Sequence, residues 1–451
     1  VVSSQLVGLI PSAMGGTITY DNSGLVFENV EMTANGHSGI ETNGNNTNDT
    51  VTLKNSTLNV PNGYGIYFPS SGTLTIENSK INAKTMGVQV CAGSLNVTGD
   101  QTAITVSGDG IAKTENDGAI EDGAAISIVE RGYKGLSEIK VEGGTFTAKG
   151  SNVAVKAYDW DNTNKTESDF TQAAKVAVSG GTFSSAVDKS LCADGFIPTE
   201  NTDGTYGVKE GKYVAEIGSQ GYESLQAAVD AAKSGATVTL LADAAEDVVI
   251  SKSITLDLGG KTLTNTNAGK ATISVTSGTV TVKNGNVVGG TGYYNIEVTK
   301  GSNANLTLTD VTATAGNNGS SMIDNWGTLT ITSGTYTGGL NVVKSEEGSK
   351  LTITGGTFTG NYATNGYTGV ILVYGDTTIS GGEFIQSLTT TGRWNHPQVI
   401  ATGVVEGYTA ITRVTGGHFV NKMSGESIFR GIGKGTSDNF EVSGGTFNKE
   451  V

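Results

Sequence analysis

Short alternating runs fill this chain. Leu25, Phe27, Val51, Leu53, Leu74 and Ile76 alternate with more polar neighbours in three runs, Leu25-Val-Phe-Glu-Asn29, Val51-Thr-Leu-Lys-Asn55 and Leu74-Thr-Ile-Glu-Asn78. A period of two marks a strand with one buried face. Elsewhere the runs end in a second way, on Val178-Ser-Gly-Gly-Thr-Phe183. That unit returns as Val141-Glu-Gly-Gly-Thr-Phe146, Ile353-Thr-Gly-Gly-Thr-Phe358, Ile379-Ser-Gly-Gly-Glu-Phe384, Val414-Thr-Gly-Gly-His-Phe419 and Val442-Ser-Gly-Gly-Thr-Phe447, with a looser copy at Ile331-Thr-Ser-Gly-Thr-Tyr336. The β-branched residue closes one strand facing inward. The glycines allow a sharp corner at positive φ, and the aromatic opens the next strand facing inward again.

The repeats set a pitch. Tyr336, Phe358, Phe384, Phe419 and Phe447 step by 22, 26, 35 and 28 residues, and Gly39, Gly65 and Gly87 step by 26 and 22. Each step holds one circuit of three short strands. Recurrence of several strands at one pitch predicts an all-β fold, a parallel β-helix whose coils stack at about 4.8 Å. No coil buries its apolar face alone, so the stack itself is the core. The handedness of parallel crossovers makes the helix right-handed. Asn55 and Asn78 sit at strand ends, where their side chains are expected to bond along a ladder of bends.

One stretch departs from period two. Tyr222, Leu225, Val229 and Ala232 step by 3, 4 and 3, which predicts one amphipathic helix near 222–234, started by Ser219 or Gly221 and ended by Gly235. Glu223 suits its first turn and Lys233 its last. The open end of a β-helix exposes core and unpaired strand groups, and such a helix covers both. Before it, 184–211 is rich in turn residues. Two consecutive units follow: 1–210, closed by that junction, and 211–451, opened by the capping helix.

Composition narrows the function. The chain has 451 residues, 66 glycines and 5 prolines, a formal net charge of −15 and a pI near 4.7. Few prolines beside many glycines, threonines and valines speak for strands and tight turns. With four arginines (Arg131, Arg393, Arg413, Arg430) and an acidic balance, nucleic acid is not an expected partner. The longest apolar run falls short of a membrane span, so membrane insertion is not expected either. Cys91 reads as a small buried residue, and no spacing rule pairs it with Cys192. Val1-Val2-Ser3-Ser4 carries no signal-peptide pattern. The chain reads as a segment of a larger secreted polypeptide at the cell surface or wall.

Several residues are candidates for chemistry. The three tryptophans neighbour amides or carboxylates: Asp159-Trp160-Asp161, Asp324-Asn325-Trp326 and Arg393-Trp394-Asn395-His396. A ring beside hydrogen-bonding groups suits sugar recognition. Arg393, Trp394 and His396 lie in the longest step of the repeat, where extra residues leave the scaffold as a loop. Trp160 lies in the polar stretch 159–169, and Trp326, directly before a strand, reads as structural. Asp159, Asp161, Asn164, Glu167 and Asp169 offer the hard oxygens that calcium takes, although Thr163 and Asn164 break the EF-hand pattern. Calcium is the one cofactor candidate. His37, His396 and His418 show no metal spacing, and no nucleophilic triad is supported.

The stretch Ser224-Leu-Gln-Ala-Ala-Val-Asp-Ala-Ala-Lys-Ser-Gly-Ala-Thr-Val-Thr-Leu240, followed by Ile254-Thr-Leu-Asp-Leu-Gly-Gly-Lys-Thr-Leu263, resembles the entry cap and first coil of the pectate-lyase-like right-handed β-helix superfamily. The Gly-Gly-Thr-Phe units, with Leu191-Cys-Ala-Asp-Gly-Phe196 and Asp203-Gly-Thr-Tyr206, resemble large cell-surface proteins of Gram-positive gut commensal bacteria. That second likeness implies secretion, a multidomain polypeptide and, in most members, no assigned activity. The superfamily also contains polysaccharide lyases and hydrolases. Its polygalacturonase-like members use Asn-Thr-Asp, Asp-Asp, Gly-His-Gly and Arg-x-Lys. Here only Asn201-Thr202-Asp203 occurs, in the junction and not on a coil. Fold alone does not supply function. The leading expectation is an adhesin-like segment presenting a face to glycans or a host extracellular protein. The alternatives are a polysaccharide lyase or glycoside hydrolase, and an inert spacer. A cleft of acids, or of acids with Lys or Arg, on one coil face separates enzyme from adhesin.

Overall fold

A computed structural model describes residues 9–12, 17–21, 24–42, 48–111, 118–316, 319–364, 366–404, 410–434 and 437–449. The start at Val1–Ser4, on which the leader was judged, lies outside them. The chain divides into two compact units, Val1–Lys212 and Tyr213–Val451.

In the first unit each circuit lays one strand on each of three sheets. The circuit Gly24–Glu28, Glu31–Ala34, Ser38–Glu41 is followed by Val51–Lys54, Thr57–Val60, Tyr64–Phe68 and then by Thr73–Glu77, Lys80–Ala83, Met86–Val90. The parallel register stacks like on like. Leu25, Val51, Leu74, Leu95, Ile139 and Val176 form one inward column. Met32, Leu58, Ile81, Ile104, Phe146 and Phe183 form another. All of these side chains are buried.

The bends depart from expectation in one respect. Asn29, Asn55 and Asn78 do sit at the corners, at φ of 54°, 48° and 46°, and so supply the left-handed conformation that asparagine tolerates. The side-chain ladder runs mainly through serine, while Asn78 Oδ1 also accepts from Gln101 N in the next coil at 3.4 Å. Ser56 Oγ accepts from Val30 N at 3.1 Å, and Ser79 Oγ accepts from Ser56 N at 3.0 Å. A hydroxyl one residue past the corner points along the stack, whereas the asparagine backbone there is already committed to the next coil.

The second unit folds two of its three faces into one continuous sheet and leaves a separate sheet of eight strands, from Val248–Ile250 to Phe429–Gly433. The Gly-Gly corners join strands such as Asp376–Ile379 and Glu383–Gln386. Their two glycines answer different needs. Gly382 takes φ of 102°. Gly381 does not, but a Cβ there would lie 2.3 Å from the carbonyl oxygen of Thr354 in the coil below. One glycine turns the chain and the other lets coils touch. The aromatics that follow stack along the axis. Ring centroids of Tyr336, Phe358, Phe384, Phe419 and Phe447 lie 5.0, 4.9, 4.8 and 5.1 Å apart, within 16° of parallel.

The helix is shorter than its apolar stripe. It spans Leu225–Ala231, not 222–234, and its N-cap is Ser224, whose Oγ accepts from Ala227 N at 3.1 Å. Tyr222 belongs instead to the strand Gln220–Tyr222, which pairs with Ala215–Ile217 in a hairpin. Ala232 turns extended and stops the helix. Lys252 of the first coil, not Lys233, donates to the terminal carbonyls of Asp230 and Ala232. The Glu246 carboxylate accepts from Leu225 N and Gln226 N at the other end. Leu225, Ala228 and Val229 enter the core, and Ala215–Ile217 runs antiparallel along the edge strand Thr237–Leu240. Helix and hairpin together close this end. In the first unit a hairpin of Phe196–Glu200 and Tyr206–Glu210 does the same for one sheet, pairing Tyr206 with Phe183. Asn201 and Asp203 are its turn, bonded to Thr205.

Candidate functional site

Two coils of the first unit carry insertions, and both fall on the third sheet. Its strands Tyr64–Phe68 and Met86–Val90 are buried on both faces. Inside lies the core. Outside, Tyr64, Tyr67, Met86, Cys91, Val129 and Tyr158 pack with Ala119 and Ile120 of the insertion that precedes Ile126–Glu130. Gln89 holds the insertion down, donating to Ile120 O at 2.7 Å and accepting from Ile120 N at 2.8 Å. Buried Arg131 donates to Tyr67 Oη, Gly118 O and Asn162 Oδ1, which ties sheet, insertion and the 159–169 hairpin together. Cys91 and Cys192 are free thiols, and burial pushes the Cys91 thiol up to about 12.

Among the described residues, Glu121 and Asp122 of the insertion are both engaged. Glu121 meets His37 Nε2 at 2.8 Å and accepts from Thr85. Asp122 accepts from Ser127, from Tyr158 Oη at 2.9 Å and from Ala124 N, while its burial raises the carboxyl above the usual range. Glu115 and Asp117, the other acids of this acidic, glycine-rich stretch of sequence, lie outside the described residues.

Between insertion and hairpin runs a groove of about 490 Å³, lined by Asp109, Ile111, Asn152, Lys156, Trp160, Lys165 and Glu167 among others. Trp160 stands edge-on to Tyr158 with ring centroids 6.4 Å apart. Among the described residues, two buried donors beside this groove, Trp160 Nε1 and Asn152 Nδ2, have no hydrogen-bond partner, and both atoms are closed to solvent.

The calcium candidates point several ways. Asp159 accepts from Thr171 N and Oγ1. Asp161 accepts from Thr163 N, Asn164 N and Asn164 Nδ2, closing the hairpin turn, and these bonds hold its carboxyl below the usual range. Glu167 takes the Lys156 ammonium at 2.6 Å, and Asp169 faces a different groove. Among the described residues no three His, Cys, Asp or Glu side chains gather at a metal-ligand spacing.

In the second unit Trp394 is 62% exposed, with the Arg393 guanidinium 4.9 Å from its ring centroid. His396 turns elsewhere, onto Glu426 at 2.9 Å, where Gln398 and Ser427 complete a network. The loop therefore brings Arg393 and Trp394 together and places His396 in another cluster.

A further group escaped sequence reasoning. On the outer face of the eight-stranded sheet, Glu297, Asp324 and Lys344 stand opposite one another on successive strands. Glu346, two residues on, pairs with Lys344. Asp324 is 1% exposed and Glu346 5%. Trp326 Nε1 donates to Asp324 Oδ2 at 2.8 Å, and Lys300 sits 4.1 Å above the Trp326 ring. Burial, then the Glu346 charge, push Asp324 up to about 7 against the pull of Lys344 and Trp326. Burial also raises Glu297. A carboxyl perturbed by burial and a specific neighbour is a candidate functional group.

Residues 10–104 match the family model described as a right handed beta helix region. The chain is a right-handed parallel β-helix. No curated protein matches it. No helix among the described residues is long and apolar enough to cross a membrane. The β-helix explains why the Asp324 group is hard to read in sequence. Glu297, Asp324 and Lys344 are 27 and 20 residues apart, because the coils between them differ in length. Only the register makes them neighbours.

Proposed function

We propose that this β-helix is a secreted, cell-surface segment of a larger protein that binds glycans without cleaving them. The groove at Trp160 carries the reading. It combines an aromatic ring with amide, ammonium and carboxylate groups, which together suit a ligand rich in hydroxyls. Exposed Trp394 beside Arg393 adds a second platform. The acidic balance and sparse arginines favour neutral sugars over polyanions.

The test is a glycan array with the 451-residue chain, with and without calcium. Trp160→Ala is expected to weaken binding at least tenfold, about 1.4 kcal/mol. Trp160→Phe, which keeps a ring but loses the N–H, should fall between. If only Trp394→Ala abolishes binding, the site belongs on the 393–396 loop. A signal that needs calcium would favour the 159–169 carboxylates as ligands. Silence on every glycan would move the reading to a spacer.

One observation favours a second reading, a polysaccharide lyase or hydrolase. Acids and a lysine do share one coil face at Glu297, Asp324, Lys344 and Glu346. A carboxyl still protonated near neutral pH is what general acid catalysis requires. Against it, Asp324 and Glu346 are shut from solvent. Cleaved products on the array, lost in Asp324→Asn, would establish this reading in place of the first.

A further inference from the structure

The first unit ends unevenly. After Thr182–Phe183 the next circuit would add a strand to the third sheet. The chain instead makes a 3-10 turn at Lys189–Leu191, fixed by Asp188 Oδ1, which accepts from Ser190 N and Oγ at 2.8 Å each. The segment before the turn stays on the stack, with Ser184 N donating to Phe146 O, Ser185 Oγ accepting from Ala154 N at 2.8 Å and Val187 buried in the core, and at Cys192 a single parallel bridge joins the chain to Val178. The first sheet is thus continued by that bridge and the second is covered by the hairpin at Tyr206. The third sheet stops at Val155–Asp161.

Backbone direction shows what this leaves open. Ala154 O accepts from Ile126 N, and Val155 stands opposite Ile126. In a parallel pair successive residues alternate sides, so Ala154 O, Lys156 and Tyr158 face the strand Ile126–Glu130 and Val155 and Ala157 face away, while Ala154 N donates to Ser185 Oγ at 2.8 Å. The short strand Thr166–Ser168 pairs only with Asp159, Trp160 and Asp161. No strand among the described residues pairs with the outward N–H and C=O groups of Val155 and Ala157.

A groove of about 580 Å³ runs along this same edge. Apolar side chains line it at Val153, which is 41% exposed, and at Phe170 and Leu191. Its charged lining is three carboxylates, Glu167, Asp169 and Asp188, against one ammonium, Lys156, already held by Glu167. An unpaired edge is a template for another strand. Native edges are usually blunted by lysines, prolines or bulges; the one lysine of this edge, Lys156, is held by Glu167, and the rest of the charged lining is acidic.

We propose that the edge Val155–Tyr158 is a strand-addition site for an extended, basic segment of a partner protein, which completes the third sheet of the first unit. Main-chain bonds to Val155 and Ala157 hold the segment. Alternate apolar side chains cover Val153 and Leu191, and lysines or arginines meet Asp169 and Asp188. Four residues of strand span about 13 Å. This surface shares Lys156 and Glu167 with the Trp160 groove, but it does not use the Trp160 ring, and glycan recognition does not use the edge amides.

The probe is the blocked hexapeptide acetyl-Lys-Val-Lys-Val-Lys-Val-amide, with the matching Glu-Val peptide as control. Amide exchange is read on the 451-residue chain. In the free protein the Val155 and Ala157 amides exchange fast, while those of Lys156 and Tyr158 are protected. The basic peptide is expected to slow Val155 and Ala157 at least tenfold, and the acidic one to leave them unchanged. Ala157→Pro removes an N–H that the β-helix does not use, and proline is tolerated at an edge in that orientation. It should keep the thermal transition and weaken peptide binding at least tenfold. Should Ala157→Pro fail to fold, Asp169→Lys on the exposed rim serves instead, with a loss of at least threefold expected. Equal protection by both peptides, protection by neither, or binding undiminished in these variants overturns the proposal. Loss of glycan binding in Trp160→Ala with peptide binding intact leaves it standing.

Discussion

Phe384→Ala is expected to destabilise the second unit by about 3–5 kcal/mol, the range for deleting a fully buried phenylalanine. Phe384 is wholly buried and stacks on two rings, Phe358 at 4.9 Å and Phe419 at 4.8 Å. The contacts sit between coils, and in a solenoid the coil-to-coil interface supplies the stability that one coil lacks. Removing one ring therefore opens a void and breaks two interfaces at once. The neighbours cannot close the gap easily, because Gly381 already brings that coil as near to Thr354 as its backbone allows. Phe447→Ala is the control. That ring ends the stack and is only partly buried, so the same deletion should cost about 1–2 kcal/mol. Guanidinium unfolding followed by amide exchange over 343–421 measures both. The expected signature is faster opening around 358–421 with the first unit unchanged. A similar cost for Phe384→Ala and Phe447→Ala would mean that the aromatic stack is not what couples the coils.

How much of this was legible beforehand depends on distance along the chain. The strand period, the Gly-Gly corners and the inward aromatics are local patterns, and the register places Phe358, Phe384 and Phe419 in line as the repeat implied. The helix was legible as an apolar stripe. Its ends were not, because Tyr222 was claimed by the hairpin with Ala215 and the cap by Ser224. Bends at Asn55 and Asn78 were legible, and Asn78 does reach Gln101 N of the next coil, but most of the ladder fell to Ser56 and Ser79, one residue beyond each corner. Function was harder to read, for a physical reason. Trp160 and Trp394 attract notice because tryptophan is scarce here, yet the partners that shape the Trp160 groove arrive from an insertion some 40–50 residues earlier. The Asp324 group needs three coils of unequal length to be aligned before it exists at all.

That group makes the last expectation, a dependence of stability on pH opposite to that of an ordinary salt-bridged aspartate. Asp324 is held up to about 7 by burial and by Glu346, whereas in the unfolded chain its carboxyl ionises near 3.9. Between about pH 4 and pH 7 the folded protein thus carries a proton that the unfolded chain has lost. Stability must fall as pH rises through that window and level off above the folded pKa. Lys344 is the nearest balancing charge, and its pull is outweighed by burial and by the Glu346 charge. Glu297, the next acid on this face, is also raised by burial and adds to the slope in the same direction. The loss between pH 5 and pH 8 is expected to be on the order of 2–4 kcal/mol. Asp324→Asn removes the ionisable group and keeps an oxygen for the Trp326 N–H, so it should flatten most of that slope. It should leave the protein more stable than wild type at pH 8 and no more stable at pH 5. Urea unfolding at the two pH values, followed by the fluorescence of the tryptophans, measures this directly. An unchanged slope in the variant would mean that Asp324 is ionised throughout and that Lys344 outweighs its burial. In that case the second functional reading loses its proton donor as well, since both depend on the same retained proton.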